Sequence, residues 1–346
     1  MLNKNKSLYI EDLERALAFG GVEALKGKKF LITGASGLIG MFLIDALMRY
    51  NSKADAGIEI YAVGRNKEKA SARLGEYYDS GLFHFIEQDV CNPFPEGLKV
   101  DYILPLASNT HPLAYSQFPI ETMLINIKGA EHALNLALEC DATVLYPSSV
   151  EIYGNARGED IFVEDYTGNL NLSSARSCYS ESKRSSEALC LSYMAEKGAK
   201  VKIVRLSRIF GPSMLLTDTK ASSQFILKSV AGEDVVLKSK GDQFFSYTYV
   251  ADAVSAMLYV LLNGEQGVAY NVSNKACDVH LRDFASFCAK AAGKEVIFDL
   301  PSETERKGYS VATQAILDNS RLIELGWKPA YNMDEAVSKT ISVLKN

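Results

Sequence analysis

Apolar residues first gather at strand length in Lys29-Phe-Leu-Ile-Thr33, give way to glycine at 34, 37 and 40, and resume at helix-compatible spacing through Met41-Phe-Leu-Ile-Asp-Ala-Leu-Met48. The pattern predicts strand, tight turn, helix. Further strands are predicted at 58–66, 83–90, 100–108 and 142–149, separated by helical stretches. Alternation of this kind predicts an α/β fold with a doubly wound parallel sheet, whose ligands bind at the carboxyl ends of the strands. Helical spacing also runs from about residue 8 to 26, and is expected to form a helix packed on the sheet edge or at a subunit contact.

At 346 residues the chain is long for one simple unit, so a dinucleotide-binding domain with a smaller appended lobe is expected. We place an N-terminal helical extension at 1–27 and the sheet domain at 28–205, with about 246–264 returning to it. Residues 206–245 and 265–346 then form a C-terminal α/β substrate lobe. A formal charge of −5 gives no reason to expect nucleic acid or an anionic membrane as partner. The six cysteines form no Cys-x-x-Cys pair, which suits free thiols in a reducing, cytoplasmic setting and gives no reason to expect a metal site. Neither a membrane span nor a signal core is read in the chain.

The glycine turn carries the first chemistry. Glycines at 34, 37 and 40 let the backbone turn sharply, let a diphosphate approach the amides and let the helix pack close to the strand, while the helix N-terminus offers unpaired N–H groups to the anion. Gly34, Ser36, Gly37, Leu38, Ile39 and Gly40 are therefore candidate contacts of a Rossmann-type dinucleotide site; close strand–turn–helix packing alone would use the same glycines. The second strand ends in Gly64-Arg65, where an Arg meets a 2′-phosphate or stacks on adenine, so NAD and NADP both remain open. Asp89 and Val90 close the third strand, and Leu106, Ala107 and Ser108 close the fourth, at the cofactor mouth. Asp89 equally suits a turn-capping role.

A second constellation lies further on. The fifth strand delivers Ser149 to the same sheet edge, and Tyr179 and Lys183 sit four apart, on one face of a predicted helix. A lysine cation beside a phenol favours phenolate, so Tyr179 is expected to have a lowered pKa and to take a proton from a substrate hydroxyl. Lys183 would also hold the nicotinamide ribose, and Ser149 would hydrogen-bond the reacting oxygen.

Five segments carry a resemblance: Ser148-Ser-Val-Glu-Ile-Tyr-Gly154, Arg176-Ser-Cys-Tyr-Ser-Glu-Ser-Lys-Arg184, Arg205-Leu-Ser-Arg-Ile-Phe-Gly-Pro212, Tyr249-Val-Ala-Asp252 and Leu325-Gly-Trp-Lys-Pro329. In this order they resemble the extended short-chain dehydrogenases of the NAD-dependent epimerase/dehydratase family, most of all UDP-glucuronate decarboxylases and then dTDP-glucose 4,6-dehydratases. The resemblance implies NAD, a nucleotide-sugar substrate and a homodimer paired through helices at about 120–140 and 176–197. It places Asn126 at the cofactor, His111 and Tyr115 at the substrate, and Arg306 at a diphosphate. It also implies that Glu151 is a second acid or base for chemistry at C5, a carboxylate that simple 4-epimerases usually lack; a structural role at the strand end is the other reading.

Three positions depart from that pattern. Val150 stands where dehydratases have Asp and decarboxylases Ser, Arg208 where an Asn meets the diphosphate, and Phe245 where an Arg does. Arg208 is expected either to supply the diphosphate contact that Phe245 cannot, or to form an ion pair within the fold. The sequence thus supports transient C4 oxidation of a nucleotide sugar followed by C5 chemistry, with a 4-epimerase or reductase bearing the same triad as alternative. A dinucleotide sensor without catalysis is a third reading, against which Ser149, Tyr179 and Lys183 argue.

Overall fold

The computed structural model describes residues 2–110, 112–156, 161–299 and 313–345, and of 112–114 only the backbone. The chain opens with α1 (Ser7–Ala16), β1 (Lys29–Thr33), α2 (Leu38–Ala54), β2 (Glu59–Gly64), α3 (Lys67–Leu74) and β3 (Phe83–Glu87). It continues through β4 (Tyr102–Pro105), α4 (Pro112–Gln117), α5 (Pro119–Cys140), β5 (Thr143–Ser149), β6 (Ile161–Phe162), α6 (Cys178–Lys197) and β7 (Lys200–Leu206). The last part holds β8 (Arg208–Phe210), α7 (Ala221–Val230), β9 (Val235–Leu237), β10 (Phe244–Tyr249), α8 (Val250–Asn263) and β11 (Ala269–Val272). It closes with β12 (Asp278–His280), α9 (Leu281–Ala292), β13 (Val296–Phe298), β14 (Gln314–Leu317), α10 (Ser320–Glu324) and α11 (Met333–Leu344).

Seven parallel strands form the large sheet in the order β11-β7-β5-β4-β1-β2-β3. Residues within each strand alternate between its two faces, so Phe30 and Ile32 enter one core layer and Leu31 the other. Helices cover both layers, which is why these strands read as unbroken apolar runs. The strand order reverses between β1 and β4, where Ile32 pairs with Leu104 and Thr33 with Pro105. At such a switch point the carboxyl ends of neighbouring strands open a crevice. A second sheet of five strands runs β12-β10-β14-β6, with β8 also paired to β10, and β13 pairs β9 separately.

Three sequence boundaries move. β10 includes 246–249 and lies in the second sheet, so of the returning segment it is α8 that packs against the large one. β11 was expected in the C-terminal lobe; it completes the large sheet, with Tyr270 opposite Val204. Short apolar runs carry the same local signal in either sheet, and the pairing partner decides between them. The N-terminal segment, finally, is a helix followed by a short 3-10 turn at Val22–Leu25, and α1 packs on α2, α8 and α11 rather than on the sheet edge. Two buried carboxylates fix it there: Asp45 accepts from Tyr9 Oη at 2.6 Å, and Asp12 accepts from Tyr331 Oη at 2.7 Å. Among the described residues no helix is long and apolar enough to cross a membrane.

Candidate active site

The glycine turn lies in the crevice at the carboxyl ends of β1 and β4. Gly34 has φ +62° and a side chain there would stand 2.8 Å from the Ala107 nitrogen, so both conformation and space demand glycine. A Cβ on Gly40 would meet the Gly34 oxygen at 2.5 Å, which is how α2 packs so close to its own strand. The Thr33 hydroxyl accepts from the Ala107 N–H at 2.9 Å and fastens the two strand ends together. No spacing in the sequence marks Thr33 for this role, since its partner lies 74 residues on. Met41 N–H bonds back to the Gly37 oxygen at 3.0 Å, and the amides of Leu38, Ile39 and Gly40 before it form the open first turn of α2. Ser36 sits half-buried in the same turn, beside Gly37.

The flanking candidates occupy this edge with differing engagements. Asp89 caps a turn, its Oδ1 accepting from the Cys91 N–H at 2.9 Å. Val90 is buried against Gly129. Arg65 forms an ion pair with Glu121 at 2.7 Å on the exposed surface. Leu106 and Ala107 face Gly34, and the Ser108 hydroxyl donates to the Asn109 oxygen at 3.2 Å. Asn126 is buried and donates through Nδ2 to Ser182 Oγ at 2.9 Å and to the Thr122 oxygen, while its Oδ1 is buried without a hydrogen-bond partner. A small cavity beside it is lined by Thr33, Ala107 and Lys183. First-turn amides, an orphaned amide oxygen and a buried lysine fit a dinucleotide lying across this edge, with diphosphate on the glycine turn and nicotinamide ribose near Asn126 and Lys183. His111 and Arg306 lie outside the described residues.

Ser149, Glu151 and Tyr179 meet where β5 ends against α6. Ser149 caps the turn after its strand, its Oγ accepting from the Glu151 N–H at 3.2 Å, and the same hydroxyl lies near enough to the Tyr179 phenol to favour its ionised form. Tyr115 stacks on the Tyr179 ring at 4.9 Å between centroids, with an interplanar angle of 20°. The expected lowering of the Tyr179 phenol does not occur in this state. Burial pushes it up to about 12, the Ser149 hydroxyl offsets part of the shift, and the charge of Glu151 adds to it. The Lys183 ammonium, expected beside the phenol, donates instead to the Pro147 oxygen at 2.8 Å and stands 6.0 Å from the Tyr179 ring centre. Burial pushes this lysine down to about 8, against the opposing charge of Glu187. Helical spacing puts both residues on one face, but burial, rather than a pairing between them, dominates both shifts.

Glu151 and Arg208 face each other, Arg208 Nη2 lying 3.5 Å from Glu151 Oε1. The Arg208 guanidinium stacks on Phe245 at 3.7 Å from the ring centre. Of the two expectations for Arg208, the geometry realises the ion pair within the fold, and it sets that pair at the Tyr179 end of the site. Val150 is buried apolar packing, so residue 150 brings no acid to this end.

The sequence pattern of the NAD dependent epimerase/dehydratase family matches residues 30–273. The chain belongs to this family. It is thus an enzyme of the extended short-chain dehydrogenase type, with a nicotinamide dinucleotide as cofactor. UDP-glucuronic acid decarboxylase 6 of Arabidopsis thaliana is 31% identical to it over 246 residues, covering 71% of this chain and 69% of the relative. UDP-glucuronic acid decarboxylase 1 of Xenopus tropicalis is 29% identical over 318 residues, covering 91% and 71%. In fold it is similar to the UDP-glucuronic acid 4-epimerase of Bacillus cereus, whose crystal structure holds UDP-glucuronic acid and NAD, with a TM-score of 0.76, 20% identity and coverage of 91% and 98%.

Proposed function

We propose that this family member oxidises a nucleotide-linked sugar transiently at C4 and then removes a carboxylate from C5, as a decarboxylase of UDP-glucuronate or a close analogue. The observation that carries this reading is the meeting of Ser149, Tyr179 and the Glu151 carboxylate where β5 ends against α6, with Ser149 Oγ accepting from the Glu151 N–H. The chemistry a bound nicotinamide dinucleotide would supply here is reversible hydride transfer at C4. Ser149 holds the C4 oxygen and Tyr179 takes its proton, while Asn126 and Lys183 orient the nicotinamide ribose. Glu151 supplies the second acid or base next to C5, and the buried apolar Val150 supports decarboxylation over water loss. Exposed Phe118, Ile120 and Leu124 at the start of α5, with Leu191 on α6, support a homodimer through these helices. Free cysteines suit a reducing compartment.

The Glu151–Arg208 ion pair favours a second reading, 4-epimerisation of the same sugar with the carboxylate retained, because a carboxylate engaged by a guanidinium is turned away from C5. Mass spectrometry of UDP-glucuronate incubated with the protein and NAD separates the two. Loss of the mass of carbon dioxide is expected; an unchanged mass with altered chromatography would establish epimerisation, and no change in any sugar of a UDP, dTDP, CDP and GDP panel would overturn both.

A pH profile tests Lys183 independently. Because its ammonium sits near 8 in the free protein rather than at 10.5, it is protonated below that value and neutral above it. We expect kcat/KM to fall as pH rises through about 8, the quantity that reports the free enzyme's essential groups. A profile flat up to about pH 10, near the ordinary lysine range, would show that the Lys183 charge is not used.

A further inference from the structure

Arg208 has no part in the reaction just described, yet the fold holds it against the catalytic carboxylate. It opens β8, in register with Tyr247 of β10, and Phe245 lies two residues earlier on the same face of that strand. Stacking on the Phe245 ring fixes the plane of the guanidinium and leaves its N–H edge to meet a ligand. Glu151 approaches that edge at 3.5 Å and is itself about half exposed, at 46%. Among the described residues the guanidinium donates no hydrogen bond, and its Nη1 is buried without an acceptor. A desolvated donor on a cation is costly to leave unmet, so the fork is built for an anion that Glu151 only partly replaces.

Position decides which anion. The charge of Glu151 bears on the phenols of both Tyr179 and Tyr115, so the fork opens at the end of the site where a sugar hydroxyl would lose its proton. The carbon next to that hydroxyl carries the C6 substituent, whereas the diphosphate leaves from the opposite side of the ring. We propose that Arg208 binds the C6 carboxylate of a nucleotide-linked glycuronate, taking it in place of Glu151, and so selects uronates over neutral hexoses. The inference rests on the nucleotide-sugar reading above and adds the group that is recognised. A planar carboxylate matches the fork through two parallel hydrogen bonds, satisfies Nη1 and releases Glu151 beside C5. A hydroxymethyl group leaves Nη1 unmet and Glu151 still paired.

Calorimetric titration of the NAD-loaded Tyr179→Phe protein, which binds substrate without turning it over, tests this with UDP-glucuronate, UDP-glucose and UDP. UDP-glucuronate is expected to bind about tenfold or more tightly than UDP-glucose, the range of a hydrogen bond to a charged group. Adding Arg208→Gln should remove that preference and leave UDP and UDP-glucose within about twofold of their starting values. Adding Glu151→Gln should tighten UDP-glucuronate by about two- to fivefold, because it removes an internal competitor of partly exposed ion-pair strength. Arg208→Lys, which keeps the charge and loses the fork, should also lose most of the preference and serves if the glutamine variant does not fold. Equal weakening of all three ligands would make Arg208 a diphosphate contact, and no change would make it an internal ion pair; either overturns the proposal. If none of the three binds while NAD does, the proposed function falls with it; if all bind without preference, that function stands and the role of Arg208 alone falls.

Discussion

Replacing Tyr179 by phenylalanine is expected to lower turnover by about a hundred- to ten-thousandfold, the range contributed by a positioned general acid or base, and to leave dinucleotide binding intact. The ring is buried, stacks on Tyr115 at 4.9 Å and would keep that contact, so the substitution removes a single oxygen from the site. In the free protein burial pushes the pKa of that hydroxyl up to about 12, with the nearby Ser149 offsetting part of the shift. To serve as a base at neutral pH it would need bound cofactor and substrate to offset the burial. Dinucleotide binding followed by fluorescence, alongside product formation, checks both halves of the prediction. Turnover that survives the change would remove Tyr179 from the chemistry; a parent protein that itself turns nothing over, and whose dinucleotide response Tyr179→Phe leaves unaltered, would restore the sensor reading.

Arg205→Leu is expected to destabilise the fold by about 3–5 kcal/mol, the cost of leaving a buried charge without its partner. Arg205 reaches from β7 to Glu187 on α6 through two hydrogen bonds of 3.1 and 2.7 Å, and to the Tyr153 hydroxyl at 2.9 Å. Tyr153 donates in turn to Asn271 on β11 at 2.7 Å. The two charged side chains are only 14% and 10% exposed. Burial works against the guanidinium charge, but Glu187 and Tyr153 more than offset it and hold the Arg205 pKa above its ordinary value. Glu187 lies one helical turn beyond Lys183, so the network also holds in register the face of α6 that carries Tyr179 and Lys183. Urea unfolding measures the loss, and the Arg205→Leu/Glu187→Leu double variant should recover most of it, since replacing both partners of a buried pair by apolar groups is often close to neutral. A single variant as stable as the parent would show that the pair is not a structural tie.

The placement of Ser149, Tyr179 and Lys183 is legible in the sequence. Ser149 ends a strand and Tyr179 and Lys183 share a helix face, and strand and helix periodicity carry such placements directly. Glu187 and Arg205 were not assigned a role, because a buried ion pair between two elements has no local spacing signal. Arg208 was recognised as a departure, but its partner was not settled: an ion pair and a diphosphate contact look the same in the chain.

By itself the sequence determined the α/β alternation, the glycine turn and the convergence of serine, tyrosine and lysine on one sheet edge. These follow from rules of short range: side-chain period, the φ that only glycine reaches easily, and the direction of a parallel strand. Only the tertiary structure decided which sheet received β10 and β11, that Arg208 stacks on Phe245 beside Glu151, and that Tyr179 and Lys183 are shifted by burial away from the values their spacing suggests. Pairing partners, ion pairs and desolvation depend on groups far apart in the chain, and their distances exist only once it is folded.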